Sequence, residues 1–321
     1  MSTISKLLRL GTRGSLLART QSRLIATELE KHHPSLQVEL VIIKTSGDLI
    51  TDKPLHDVGG KGLFTKELEL ALLANEVDFA VHSYKDVPVT MPLVDASELI
   101  ITATPEREDV RDVLALRSNP DGQSPPQFHD LPSGFRIGTG SLRRRCQILL
   151  HRADLQVEPI RGNIDTRLRK LAEGQYDGIV LAMAGLRRTG LFDATRMILL
   201  EPDEMLPSPG QGALALQCRL KDDLTRQILS AIHHAEVETC VGAERALVAR
   251  LEGDCHSPIA ALATIDGDQI RLQAAVGARD GGLPVIRAEA TGLRKDGYAV
   301  ARDCWERLAE QGVQQLLHSD R

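Results

Sequence analysis

Hydrophobic positions along this chain switch repeatedly between a two-residue and a three-to-four-residue period, and the switches mark its elements. Residues 7–11 read as a strand, Thr12-Arg13-Gly14-Ser15 as a turn with a helix cap, and residues 16–31 as a helix with Leu17, Leu24, Ile25 and Leu29 on one face. Residues 36–43 form the next strand. A polar stretch and Gly59-Gly60-Lys61-Gly62 lead into a helix whose Phe64, Leu68, Ala71 and Leu72 follow i, i+4, i+7, i+8 spacing. Residues 78–81 are again a strand, ending in His82-Ser83-Tyr84-Lys85-Asp86. Strands alternating with helices predict a parallel sheet, whose ligands bind beyond the carboxyl ends of the strands. Arg13, Ser15, Lys85 and Asp86 fall at such ends.

The same order returns further on. Residues 135–138 form a short strand, Thr139-Gly140-Ser141 a turn ending in an N-cap residue, and Leu142 opens a helix. Residues 156–160 form a strand, Arg161-Gly162-Asn163 a turn, and residues 164–173 a helix that Gly174 ends. Gly11-Thr12-Arg13-Gly14-Ser15-Leu16 echoes Gly138-Thr139-Gly140-Ser141-Leu142 after one deletion, and the strand at Asp78 echoes one at Asp177. Two similar α/β domains facing a shared cleft are expected.

Residues 105–111 read as a crossing between these domains, residues 118–134 as a Pro/Gly/Ser-rich mobile loop, and residues 202–212 as a second linker. Beyond them come a strand at 213–218, a helix at 235–251, three strands at 259–265, 270–276 and 285–290, and a final helix through Trp305. The expected boundaries are 1–103 with 213–231, then 104–212, then 232–321, the last a separate α+β domain.

Charge sharpens the picture. The 321 residues carry a net charge of −5, yet residues 136–169 hold eight arginines against three acids. Arg143, Arg144 and Arg145 fall in the first turn of a helix, where cations oppose the positive end of the dipole at roughly 0.3 to 1 kcal/mol each. An anion should compensate them, and Arg161 and Arg167 flank a second helix start in the same way. The competing reading is a solvated basic face. Concentrated charge suits a small polycarboxylate or phosphate better than nucleic acid, and aromatic residues at 3% offer few platforms for stacked bases.

Other chemistries find little support in the sequence. Arg143 occupies the third glycine position of a dinucleotide fingerprint, and Gly60-Lys61-Gly62 lacks the Ser/Thr of a P-loop. Five cysteines form no CxxC pair, so reduced thiols are expected, and His233-His234 and Cys255-His256 lack the further ligands a metal site needs. Cys255 differs from Cys146, Cys218, Cys240 and Cys304 in lying within a turn-rich loop, where a usable thiolate is expected. The N-terminal residues lack a signal-peptide core and no run approaches about 20 apolar residues, which leads us to expect a cytoplasmic protein.

Thr12-Arg13-Gly14-Ser15, Val58 to Phe64, Val81 to Pro88, Gly138 to Arg144, Leu186 to Gly190, Pro209-Gly210-Gln211-Gly212-Ala213 and Leu251 to Ile259, in this order, make the chain resemble the porphobilinogen deaminase family over nearly its whole length. The resemblance implies two α/β domains similar to periplasmic binding proteins enclosing a cleft, plus a C-terminal α+β domain with a three-stranded sheet. It implies a transferase of porphyrin and heme biosynthesis that joins four porphobilinogens with loss of ammonia into hydroxymethylbilane. A dipyrromethane cofactor, thioether-linked to Cys255, would serve as primer. The acetate and propionate of each pyrrole would be bound by Arg13, Ser15, Lys61, Ser83, Thr139, Ser141, Arg143, Arg144, Arg161, Arg167 and Gln211. Asp86, with Lys85 beside it, would stabilise the cation left by ammonia and transfer protons. No metal, nucleic acid or membrane partner is implied, and a monomer is expected. The chain departs from the family at Asp254 (usually Gly), Leu16 (often Pro) and Asp57 (sometimes Lys). A non-enzymatic two-domain carboxylate-binding protein is the rival reading.

Overall fold

Leu8, Leu10, Phe79, Val81, Leu214 and Leu216 lie on neighbouring strands and bury one face of a five-stranded sheet. The structure, a computed structural model, describes residues 6–49, 62–89, 94–95, 97–117, 125–253 and 257–318. Its strands are β1 (Lys6–Thr12), β2 (Leu36–Ile42), β3 (Phe79–Ser83), β4 (Leu99–Ala103), β5 (Asp112–Leu116), β6 (Arg136–Gly138), β7 (Gln156–Glu158), β8 (Gly178–Ala182), β9 (Met197–Leu200), β10 (Leu214–Arg219), β11 (Ile259–Asp266), β12 (Gln269–Gly277) and β13 (Val285–Leu293). Its helices are α1 (Leu16–His32), α2 (Ser46–Leu49), α3 (Lys66–Leu73), α4 (Leu142–His151), α5 (Ile164–Ala172), α6 (Met183–Thr189), α7 (Asp223–Ser230), α8 (Ala235–Arg250), α9 (Gly297–Glu310) and α10 (Val313–His318). They fall into two units, residues 1–108 with 213–238 and residues 109–212 with 239–321.

In the first unit the strand order is β2-β1-β3-β10-β4, with β1 parallel to β2 and β3, and β10 antiparallel to both of its neighbours. Ile25, Ala26 and Leu29 of α1 cover one face of this sheet, and Leu68, Ala71 and Leu72 of α3 belong to a second apolar layer with Val77 and Ala80. Ser15 caps α1 through its hydroxyl, which accepts from Ala18 N at 3.3 Å. Asp78 accepts from Arg9 N at 2.8 Å and from Arg9 Nη2 at 2.9 Å, tying the entrance of β3 to β1.

The second unit repeats this plan with strand order β7-β6-β8-β5-β9, where β6 is parallel to β7 and β8 and β5 is antiparallel to β8 and β9. Ser141 caps α4, accepting from Arg144 N at 3.4 Å, and Asp177 accepts from Arg136 N at 3.0 Å and Arg136 Nη2 at 3.1 Å. The sequence echo therefore reflects repeated caps and repeated Arg–Asp braces. Gly138 is required by packing, since a Cβ there would lie 2.9 Å from the Tyr176 ring. The antiparallel strand comes last in the first sheet and first in the second, so each is delivered by the chain where it passes between units.

β11, β12 and β13 form a separate antiparallel three-stranded sheet, covered by α9 through Val300, Ala301, Cys304 and Leu308. Strand β13 runs to Leu293, three residues beyond the expected end. Periodicity did not single out β4, β5 or β9. All five residues of β5 are buried, so Val113-Leu114-Ala115-Leu116 lacks the alternation of a half-exposed strand. Part of the expected mobile loop is anchored: Phe128 and Leu131 are buried, and Arg152 donates to His129 O and Leu131 O at 2.8 Å each.

Candidate carboxylate-binding site

Asp112 opens β5 opposite Ala182, the last residue of β8, and so sits at the carboxyl edge of the second sheet. Its carboxylate is fully buried and fully engaged. Oδ2 accepts from Arg143 Nη2 at 2.7 Å, and Oδ1 accepts from Arg144 Nη2 at 2.7 Å and from Gln211 Nε2 at 2.9 Å. Burial alone would raise the pKa of Asp112, but the two guanidiniums hold it well below the usual carboxylate range. Arg143 also donates to Leu206 O at 2.5 Å, Arg144 to Val180 O at 2.8 Å, and Gln211 to Val110 O at 2.7 Å. Gln147 closes the cluster, bonding Leu206 through both N and O.

This geometry revises the expectation for Arg143 and Arg144. Their side chains are 4% and 7% exposed and their paired Nη donors face Asp112, so the anion that compensates these helix-start cations belongs to the chain itself. Compensation is incomplete, because two guanidiniums face one carboxylate. Arg144 Nε is moreover a buried donor with no partner among the described residues. Among the described residues one positive charge of this hub is unmatched and one N–H is unpaired.

The other arginines are disposed differently. Arg161 and Arg167 are half-buried at the start of α5; Arg167 Nε donates to Gly162 O at 2.7 Å, and Arg161 O accepts from Lys170 at 3.2 Å. Thr139 is buried and its hydroxyl accepts from Ser141 N at 3.2 Å, while the Ser141 hydroxyl serves as the cap of α4. Arg188, which the sequence did not single out, donates to Gly212 O at 2.7 Å beside Gln211.

In the first unit, Arg13 follows β1 with its guanidinium 4.0 Å above the Phe64 ring. Ser83 ends β3 with its hydroxyl 3.1 Å from the Gln21 amide nitrogen. Lys85 and Asp86 occupy the 3-10 turn that follows, Lys85 half-buried and Asp86 exposed. His82, to which the sequence gave no role, is buried, and its pKa is pushed down to about 4 by burial.

Lys61 and Cys255 lie outside the described residues. The four described cysteines are all buried. Burial pushes the Cys146 thiol up to about 11 and the Cys304 thiol up to about 12, and raises that of Cys218. Among these residues no helix is long and apolar enough to cross a membrane, and no cluster of three or more His, Cys, Asp or Glu suits a metal ion.

Comparison with known families decides the identity. The family model described as porphobilinogen deaminase, dipyromethane cofactor binding domain, matches residues 8–227, and that of the porphobilinogen deaminase C-terminal domain matches residues 238–311. The chain belongs to the porphobilinogen deaminase family. It is a transferase, a hydroxymethylbilane synthase of porphyrin and heme biosynthesis, and dipyrromethane is its cofactor. The deaminase is also similar to solved structures at low identity. A periplasmic binding protein of Salmonella typhimurium with high arginine specificity is 14% identical, with 71% of this chain and 91% of that one covered and a TM-score of 0.40. The BenM effector binding domain with benzoate is 14% identical, with 71% and 90% covered and a TM-score of 0.40. The reduced OxyR regulatory domain from Pseudomonas aeruginosa is 15% identical, with 72% and 98% covered and a TM-score of 0.39.

The hub around Asp112 fits a cofactor that carries carboxylates. Its surplus positive charge and the partnerless Arg144 Nε call for one more anionic acceptor. Asp112 itself carries a readable sequence signal, as the one charged residue heading the apolar run Val113-Leu114-Ala115-Leu116.

Proposed function

We propose that this deaminase binds porphobilinogen and its oligomers by their acetate and propionate groups, through arginines held at the carboxyl edges of its sheets. The observation that carries this reading is the Asp112 hub, whose two arginines exceed their carboxylate by one charge and leave Arg144 Nε without a partner. Arg13, Arg161 and Arg167 add guanidiniums at neighbouring turns, with Ser15, Ser83, Thr139, Ser141 and Lys61 as further contacts. Gln211 takes a different part here, orienting Asp112.

When bound, dipyrromethane supplies the pyrrole end to which the first substrate is joined. Arg144, through its Nε, would hold one of its carboxylates, and Arg143 would keep Asp112 in place beside it. Loss of ammonia from the aminomethyl group of porphobilinogen leaves a cation, and the Asp86 carboxylate stabilises it. Asp86, with Lys85 next to it, would then receive the proton released as the new carbon–carbon bond is made. Cys255, the cysteine at the family's cofactor motif, is the covalent anchor, attached through its thiolate, the nucleophilic form, whereas the four described cysteines are buried. The enzyme is cytoplasmic and works as a monomer without nucleic acid.

The test is intact mass spectrometry during turnover, combined with an acid aldehyde stain for pyrroles on denatured protein. Steps of one porphobilinogen less ammonia and a positive stain support the proposal. A stain-negative protein that binds porphobilinogen unchanged is instead the non-enzymatic carboxylate binder.

A further inference from the structure

β11 is an edge strand of its sheet, and two of its N–H groups are satisfied from outside the sheet. Ala261 N donates to Pro207 O at 3.1 Å, and Ala263 N donates to Glu244 Oε1 at 2.9 Å. Glu244 lies in α8 and is fully buried. Its other oxygen, Oε2, accepts from Gly210 N at 2.7 Å, so one carboxylate joins the edge of β11 to the linker that ends at Gly212. All of these residues belong to the second unit.

The linker N–H needs that acceptor. Gln211 N donates to Ser208 O at 2.9 Å, closing a four-residue turn with Pro209 in its second place and Gly210 in its third. Gly210 has a φ of +73°, as a type II turn demands at its third place. Its N–H belongs to the central peptide of the turn, outside the closing hydrogen bond, and Gly210 is buried. A buried donor deprived of its acceptor is costly, and turning the central peptide over, from type II to type I, would move it. The backbone leading into Gln211 turns with it. Gln211 in turn donates through Nε2 to Val110 O at 2.7 Å and to Asp112 Oδ1 at 2.9 Å, the oxygen that also accepts from Arg144.

We propose that Glu244 is a positioning residue for the Asp112 hub: its carboxylate, clamped between the edge of β11 and the Gly210 N–H, holds the Ser208–Gln211 turn in its type II form and so keeps the Gln211 amide on Asp112 beside Arg144. The consequence for substrate rests on the proposed function. The link from Glu244 to Gln211 does not.

A double-mutant cycle tests the link. kcat/KM for porphobilinogen is measured for the parent holoenzyme, Glu244→Leu, Gln211→Ala and the double variant, with rates referred to the pyrrole-stained, cofactor-bearing fraction. Glu244→Leu, which removes both acceptor oxygens, is expected to lower kcat/KM about tenfold in the parent and less than about twofold once Gln211 is Ala, because the two act in series. Val241→Ala, a buried apolar truncation on the same helix, is the control for lost stability and should stay within about twofold of the parent while melting lower. Independent, multiplying effects of Glu244→Leu and Gln211→Ala, or an equal loss in Val241→Ala, overturn the proposal and leave Glu244 a purely structural group. If Glu244→Leu does not fold, Gly210→Ala takes its place, since a side chain at positive φ presses the turn out of type II with Glu244 intact; an unchanged kcat/KM there overturns the proposal as well. Unfolding free energies of the same four proteins form a second cycle that needs no turnover. Losses that fall short of additive are expected, and simple addition rejects the link. Absence of deaminase turnover in the parent rejects the proposed function instead, and the unfolding cycle then decides the link alone.

Discussion

Asp112 Oδ2 and Arg143 Nη2 meet at 2.7 Å with both side chains buried, and Arg144 completes the pair on the second carboxylate oxygen. Three donors converge on Asp112, whereas an amide in its place accepts through one atom only. Asp112→Asn should therefore lose about 3 to 5 kcal/mol of stability by denaturant titration, because it leaves buried charge uncompensated. The sign with pH follows. A depressed carboxylate pKa adds stability that is full above the unfolded value of about 4 and is lost as pH falls below it, so the variant should show a shallower acid slope there.

Arg144→Leu should leave the hub neutral, with Arg143 still paired to Asp112. Stability should fall by roughly 1 to 3 kcal/mol, chiefly because Val180 O loses its donor. Turnover should fall by about an order of magnitude or more through lost attraction for carboxylates. Kinetics equal to the parent's would show that the surplus charge serves no ligand.

His82 predicts a second, separate pH window. Its folded-state pKa of about 4 lies below the ordinary 6.5, so the stability it contributes is complete above 6.5 and is lost as pH falls towards 4. The loss is on the order of 3 kcal/mol. Unfolding titrations between pH 7 and 4 should show a flatter curve for His82→Asn, which cannot titrate there.

Asp86→Asn should keep the cofactor and lose nearly all catalysis, since the amide preserves shape and removes the charge that balances the cation. Stain and mass report cofactor, and ammonia release reports turnover. Near-parental rates would move the role to another acid.

Cys255→Ser should give apoprotein without pyrrole stain or activity, because a hydroxyl is a poor nucleophile at neutral pH. The apoprotein should also melt at a lower temperature, having lost a ligand that binds the folded state. Peptide mapping of the parent decides the anchor. A two-pyrrole adduct on Cys146, Cys218, Cys240 or Cys304 would sink the assignment.

Local patterns in the sequence were sufficient for the repeated strand–cap–helix units. Ser15 and Ser141 cap α1 and α4 because a short hydroxyl side chain reaches the backbone N–H three residues on, and that is decided within a few residues. The ordered motifs likewise carried the family. Tertiary structure decided which arginines the chain compensates with its own carboxylate. Asp112 lies 31 and 32 positions from Arg143 and Arg144 in the chain, and Gln211 lies 99 from Asp112, so it takes β8 pairing with both β5 and β6, the strand before α4, to bring the arginines to Asp112. The same holds for His82, Gln217 and Glu69, which are far apart in sequence and meet in one buried hydrogen-bonded line. Helix caps and periodicity report the chain's local geometry, whereas a buried charge is tolerated only by partners that folding brings to it.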